Sequence, residues 1–178
     1  MKLVETILEN MTISFSGRIN ILSDQTKQFI GSVLLSDGVL VNAKFGQMSG
    51  KKALANLLME DKSSRGISIV SEPELVTELE FSFNMTEQDF FKFKNDYFEQ
   101  FELLKKLRPP KNLRLGINCK KLDIYTPLNF GEFDTMKLVL AFETVEKMYE
   151  QSQLLEFDVT KSLISLRKKG IILVKGTA

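Results

Sequence analysis

The side chains that could carry covalent chemistry are few and scattered. Cys119 is the single cysteine, and Lys120 and Lys121 beside it would favour its thiolate. It has no imidazole to pair with, because the chain contains no histidine. Histidine is the commonest general base near neutral pH and the commonest transition-metal ligand. Ser-His-Asp, Cys-His and HExxH sites are therefore excluded from this chain alone, and one cysteine allows neither an internal disulfide nor a Cys-only metal cage. Paired carboxylates can run acid–base chemistry without histidine. The nearest approaches are Glu78 with Glu80, on one face of a strand, and Asp134, Glu143, Glu146 and Glu150 along two helices. None adjoins a substrate-orienting motif, and solvated charged faces account for them. In Gly46-Gln47-Met48-Ser49-Gly50-Lys51-Lys52 a lysine pair at a helix start could meet phosphate. The glycines at Gly31, Gly38, Gly46 and Gly50 fit neither GxGxxG nor GxxxxGK[ST], so a glycine turn with solvated lysines is expected. No catalytic group, cofactor or metal site is expected.

What remains is chemistry of contact. Thr86 to Leu107 reads as one long helix, capped at Thr86 and stopped by Pro109-Pro110. At about 100° per residue, Phe90, Phe93, Tyr97, Phe101 and Leu104 share one sector, with Phe91 and Phe98 about a quarter turn away. This stripe is wider than one packing face requires. Bridging two surfaces of its own protein is the simpler account, and Phe90, Phe91, Phe93, Tyr97 and Phe98 are the candidates for partner binding if the stripe is exposed. A second candidate surface is basic. Lys161, Arg167, Lys168 and Lys169 lie on a helix over residues 156–169 and could meet nucleic acid, although that helix opens on Glu156-Phe157-Asp158, where acidic groups face phosphate repulsion.

These residues need a scaffold, and the hydrophobic pattern supplies one. Leu3, Ile7 and Leu8 suit a short opening helix over residues 2–9. Residues 12–22 alternate, with a break at Gly17; Phe29–Leu35 and Val39–Phe45 flank Asp37-Gly38, a strong signal for a primed hairpin turn. Such short strands must pair with Arg18–Leu22 or pack on a helix. Gly50 precedes a helix with Ala53, Leu54, Leu57 and Leu58 on one face, and residues 66–70 alternate as a returning strand. Residues 111–126 suit another hairpin, and residues 127–132 a linker. Three short helices follow, supplying Met136, Val139 and Leu140, then Val145 and Met148 after a Thr144 cap, then Val159, Leu163 and Leu166. Gly170 stops the third, and Ile171–Val174 is a strand. The fold class is α+β: a small antiparallel sheet with helices, a long connecting helix, and a three-helix unit with a short strand. The domains are 1–84, 85–131, packed on the first, and 132–178.

Composition fits an ordinary globular chain, since 43% hydrophobic and 26% charged residues are enough to bury a core over 178 residues. Lys plus Arg number 24 against 23 Asp plus Glu, so no global field recruits nucleic acid or anionic membrane. The amino terminus lacks an apolar signal-peptide region, and no apolar run nears the roughly 20 residues that cross a bilayer. A cytoplasmic protein without membrane insertion is expected.

Ser16-Gly17-Arg18, Ser36-Asp37-Gly38-Val39-Leu40-Val41-Asn42-Ala43, and Gly50 followed by Ala53-Leu54 and Leu57-Leu58 resemble the PATAN domain, a bacterial signalling module. Residues 145–150, 154–159 and 163–172 are similar in outline to a winged helix. The resemblance implies a non-enzymatic regulatory adaptor in motility, polarity or development, acting through contacts with a protein partner such as a receiver-domain or motility protein; a homodimer is compatible with it. No receiver pattern or phosphoacceptor pocket is present in the sequence, which implies an adaptor rather than a phosphorelay component. The alternatives are a DNA-binding regulator using the winged helix and a nucleotide second-messenger effector. The latter lacks the RxxxR and [DN]xSxxG pattern of PilZ-type receptors, since Arg108 and Arg114 stand at the wrong spacing.

Overall fold

The computed structural model describes residues 1–63, 66–122 and 127–177, and it is α+β, with six α-helices and two antiparallel sheets among those residues. It divides into two compact units, Met1–Tyr97 and Phe98–Ala178.

In the first unit, α1 (Lys2–Thr12) leads into β1 (Gly17–Ser23), β2 (Phe29–Ser36), β3 (Val39–Phe45) and the two-residue β4 (Met48–Ser49). After α2 (Lys51–Lys62), β5 (Ile67–Pro73) returns beside β1, giving the order β4-β3-β2-β1-β5 with every pair antiparallel. The β2–β3 hairpin turns on Asp37 at φ 49° and Gly38 at φ 75°, both in the left-handed region that a primed turn requires. A Cβ at Gly38 would also lie 2.5 Å from the Met11 carbonyl oxygen, so two constraints hold that glycine. Gly31, in register with Ile21, faces Leu57 of α2, and the apolar side of the sheet, with Ile19, Ile21 and Val33 fully buried, therefore lies toward the helix. Residues 12–16, expected as part of the first strand, instead finish α1 and turn: Ser14 has φ 54°, and Ile13 stands exposed.

α3 (Glu87–Lys105) starts in the first unit and ends in the second. Its amino end is fixed as the sequence suggested, with the Thr86 hydroxyl donating to Asp89 at 2.7 Å and the Asp89 amide donating back to Thr86 at 3.3 Å. Phe90 and Tyr97 on this helix are buried.

The second unit continues with β6 (Leu113–Ile117), α4 (Phe130–Ala141), α5 (Val145–Gln151), α6 (Glu156–Lys168) and β7 (Ile172–Thr177). β6 pairs antiparallel with β7, so this strand, expected in a local hairpin of the 85–131 segment, finds its partner across the three-helix unit. Of the other arm expected for that hairpin, residues 122–126, Leu122 ends a 3-10 turn and 123–126 lie outside the described residues. Leu115, Val139, Met148, Val159, Leu163, Leu166 and Ile172 belong to one core. Gly170 adopts φ 73° to end α6, as its position past a periodic run suggests. The expected linker over 127–132 is shorter, because Asn129 caps α4 and the helix begins at Phe130.

Candidate functional site

Four of the six carboxylates considered for acid–base chemistry, Glu80, Asp134, Glu143 and Glu146, form ion pairs. Glu78 and Glu80 lie in one 3-10 turn rather than on a strand, and Glu80 is 3.2 Å from Arg18. Asp134 pairs with Lys137 at 2.9 Å, Glu146 with Lys111 at 2.9 Å and Glu143 with Arg114 at 3.8 Å. Cys119 is exposed on a short 3-10 turn. Among the described residues no group of three or more Cys, Asp or Glu side chains is placed to hold a metal ion. At the glycine turn over 46–52, Gly50 at φ 77° caps α2 and Lys51 is exposed, but Lys52, expected in solvent, is buried.

The aromatic stripe of α3 divides. Phe90 and Tyr97 are core residues at 0% and 4% exposure and cannot face a partner from this position. Phe93 is half-buried and stacks on Tyr97 with ring centroids 6.1 Å apart; Phe98 is half-buried as well. Phe91 alone of the five is exposed, with Lys94 over its ring at 5.1 Å.

The basic set divides too. Arg167 and Lys168 are exposed at the end of α6, where they complement the helix dipole, and Lys161 sits 5.2 Å over the Phe157 ring. Lys169 is a strut: its ammonium donates to the Pro127 carbonyl at 2.8 Å and pairs with Glu132 at 2.7 Å. Glu132 is buried at 2% exposure and closes a capping box with Asn129, each backbone amide donating to the other side chain at 2.9 Å. Ser165 adds a third donor at 2.6 Å. Burial pushes this carboxyl up, but Lys169, Ser165 and the Asn129 amide together outweigh it and hold the group at about 2. The Asn129-x-x-Glu132 spacing was the available sequence signal for this anchor.

At the amino end of α6, Arg108 receives Glu156 in a two-pronged pair, at 2.9 and 3.3 Å, and lies 4.3 Å over the Tyr149 ring. Tyr149 shares a 2.7 Å hydrogen bond with Thr160, and burial raises its hydroxyl. Burial also raises the Asp158 carboxyl, against the opposing pull of Lys161. These contacts brace the start of α6 and commit Glu156 to Arg108.

The surface that sequence reasoning missed is the outer side of α4. Its inner side buries Glu132, Thr135, Met136 and Val139, as a packed helix should. Its outer side carries Phe130, Phe133 and Leu140 at 75%, 47% and 70% exposure, with Lys137 between them, 4.5 Å over the Phe133 ring. Positions 130, 133, 137 and 140 follow the spacing of one helical stripe. Leu140, expected in the core, belongs to this outer stripe because Met136 and Val139 already fill the inward positions. Each large side chain left in water forgoes about 1.5–3 kcal/mol of burial, so three on one stripe form a surface with contact energy to give.

No family model matches this chain, and neither the curated proteins nor the solved structures give a match. Among the described residues, no helix is long and apolar enough to cross a membrane.

Proposed function

We propose that this chain is a non-enzymatic bacterial regulatory adaptor that works in the cytoplasm through protein–protein contacts. The observation that carries the reading is the outer stripe of α4, where Phe130, Phe133 and Leu140 stand exposed on a helix whose other side is already packed. Large exposed apolar patches on a single-chain surface mark contact sites. The tight Asp37-Gly38 hairpin and the glycine-capped α2 support a PATAN-like reading of the first unit. The order β6-α4-α5-α6-β7, three helices closed by a two-stranded sheet, supports a winged-helix-like reading of the second, used for protein contact.

The test is affinity capture with the intact protein against a Phe133→Ser/Leu140→Ser variant, with circular dichroism to establish that both are folded. Loss of the same captured protein from the variant supports the stripe; equal recovery refutes it. Titration into mixed-sequence duplex DNA at low salt runs beside it, because phosphate attraction is strongest there. Tight duplex binding that Arg167→Gln/Lys168→Gln abolishes would replace the adaptor reading with a DNA-binding one.

A further inference from the structure

The segment that follows β5 is built to hold two leucines in water. Leu75 and Leu79 are each 97% exposed, more than any other large apolar side chain described. Exposure of that kind ordinarily belongs to a loose loop, but this one is fastened at several points. One guanidinium, that of Arg18 on β1, meets Glu74 at 2.7 Å and Glu80 at 3.2 Å, drawing the two ends of the segment together. Between them a 3-10 turn spans Glu78–Glu80, closed by the Glu80 amide donating to the Thr77 carbonyl at 3.0 Å. The Asn42 side chain donates to the Glu80 carbonyl at 2.6 Å, and the Ser82 and Phe83 amides donate to the Val41 carbonyl at 3.0 and 3.2 Å. Leu40 and Met85 then bridge the chain onto β3. The leucines are thus displayed on an ordered ridge, and a partner that covers them pays little to order it.

Charge says what kind of partner that is. Residues 66–91 contain Glu72, Glu74, Glu78, Glu80, Glu87 and Asp89 and not one lysine or arginine, in a chain whose total charge is only +1. Two copies meeting ridge to ridge would bring like charges together, which disfavours a symmetric dimer through this surface. We infer that the Glu74–Glu80 ridge is a docking element for an amphipathic helix of a partner protein that carries lysine or arginine beside its apolar stripe: Leu75 and Leu79 pack on the stripe, and Glu78, the exposed ridge glutamate that Arg18 does not hold, meets the basic residues. This rests on the adaptor reading only in taking the occupant to be protein, and it uses a different unit from the α4 stripe.

The test uses two fluorescently labelled amphipathic helical peptides with the same leucine stripe, one with lysine and the other with glutamate on the polar face. Fluorescence anisotropy with the full chain should show binding of the lysine peptide, weakening as salt rises, and none of the glutamate peptide. Leu75→Ser/Leu79→Ser should weaken the lysine peptide at least about tenfold without unfolding the protein, since neither leucine packs on anything. Glu78→Lys, which leaves both leucines in place, should weaken it as well. No binding of the lysine peptide, equal binding by the leucine variant, or equal binding of both peptides overturns the inference. So does a dimer in sedimentation that the leucine variant dissolves, because a second copy would then be the occupant. Failure here leaves the Phe133→Ser/Leu140→Ser capture experiment untouched.

Discussion

Replacing Glu132 with Gln should remove one of the strongest single electrostatic anchors of the second unit and do so in a pH-dependent way. The carboxyl sits at about 2 in the folded chain against 4.5 for the free side chain. A difference of 2.5 units, at about 1.4 kcal/mol per unit, corresponds to at most about 3.5 kcal/mol of stability. Glu132 itself is 2% exposed, but its partner Lys169 is 33% exposed, so water screens the pair and the measured value falls below that ceiling. Because the folded value is the depressed one, the contribution is fully present above 4.5 and is lost as pH falls toward 2. Gln keeps the size of the side chain but brings an amide group against the Asn129 N–H and the Lys169 ammonium, both of them donors. Urea melts followed by far-UV circular dichroism should therefore separate the two proteins by about 3 kcal/mol at neutral pH, with the gap closing between pH 4.5 and 2. A gap below about 1 kcal/mol, or one unchanged across that window, would refute the assignment of Glu132 as a paired buried anion.

Three further perturbations test the fold at other points. Gly38→Ala should cost about 1–3 kcal/mol in thermal melts, since alanine strains at φ 75° and its Cβ meets the Met11 carbonyl oxygen at 2.5 Å; an unchanged midpoint would deny the turn geometry. Phe90→Ala should cost about 3–5 kcal/mol and Phe91→Ala clearly less, about 1 kcal/mol, because the first is wholly buried and the second is 38% exposed; equal costs in chemical denaturation would contradict the split of the α3 stripe. Arg18→Gln should free Glu74 and Glu80 and speed hydrogen exchange at the Ser82 and Phe83 amides while leaving the Leu35 amide in β2 protected; slow exchange at both positions would show that the ridge is held without the arginine.

The parts of the fold legible in the sequence were those fixed by local chemistry. Asp37-Gly38 between two alternating runs can do little other than turn a hairpin, and Gly50, Thr86, Thr144 and Gly170 mark helix ends for reasons that act within a few residues. The misreadings came where a partner far along the chain decides the outcome. Ile13 and Phe15 alternate with Ile19 and Ile21, but α1 uses the chain as far as Thr12, so the strand can begin only after the turn at Ser14. Leu113–Ile117 reads equally well in a hairpin with its own neighbours, and only the closing of the three helices brings β7 alongside it.

The same distinction explains why the aromatic helix drew attention and α4 did not. In α3 the aromatics are dense, and the count alone suggests a surface; yet Phe90 and Tyr97 take the inward positions and leave Phe91 at the edge. In α4 the apolar residues are spread around the whole helix, so no single face stands out by periodicity, and Leu140 reads as core beside Val139. The second unit covers one side with Val159, Leu163 and the rest of its core, and Phe130, Phe133 and Leu140 are left over. Leu75 and Leu79 carry the same logic without a helix: an arginine and two glutamates are committed to holding them where they touch nothing. Both surfaces are legible only after the intramolecular packing has been subtracted, because what distinguishes an interface residue from a core residue is not its type but the absence of a partner in its own chain.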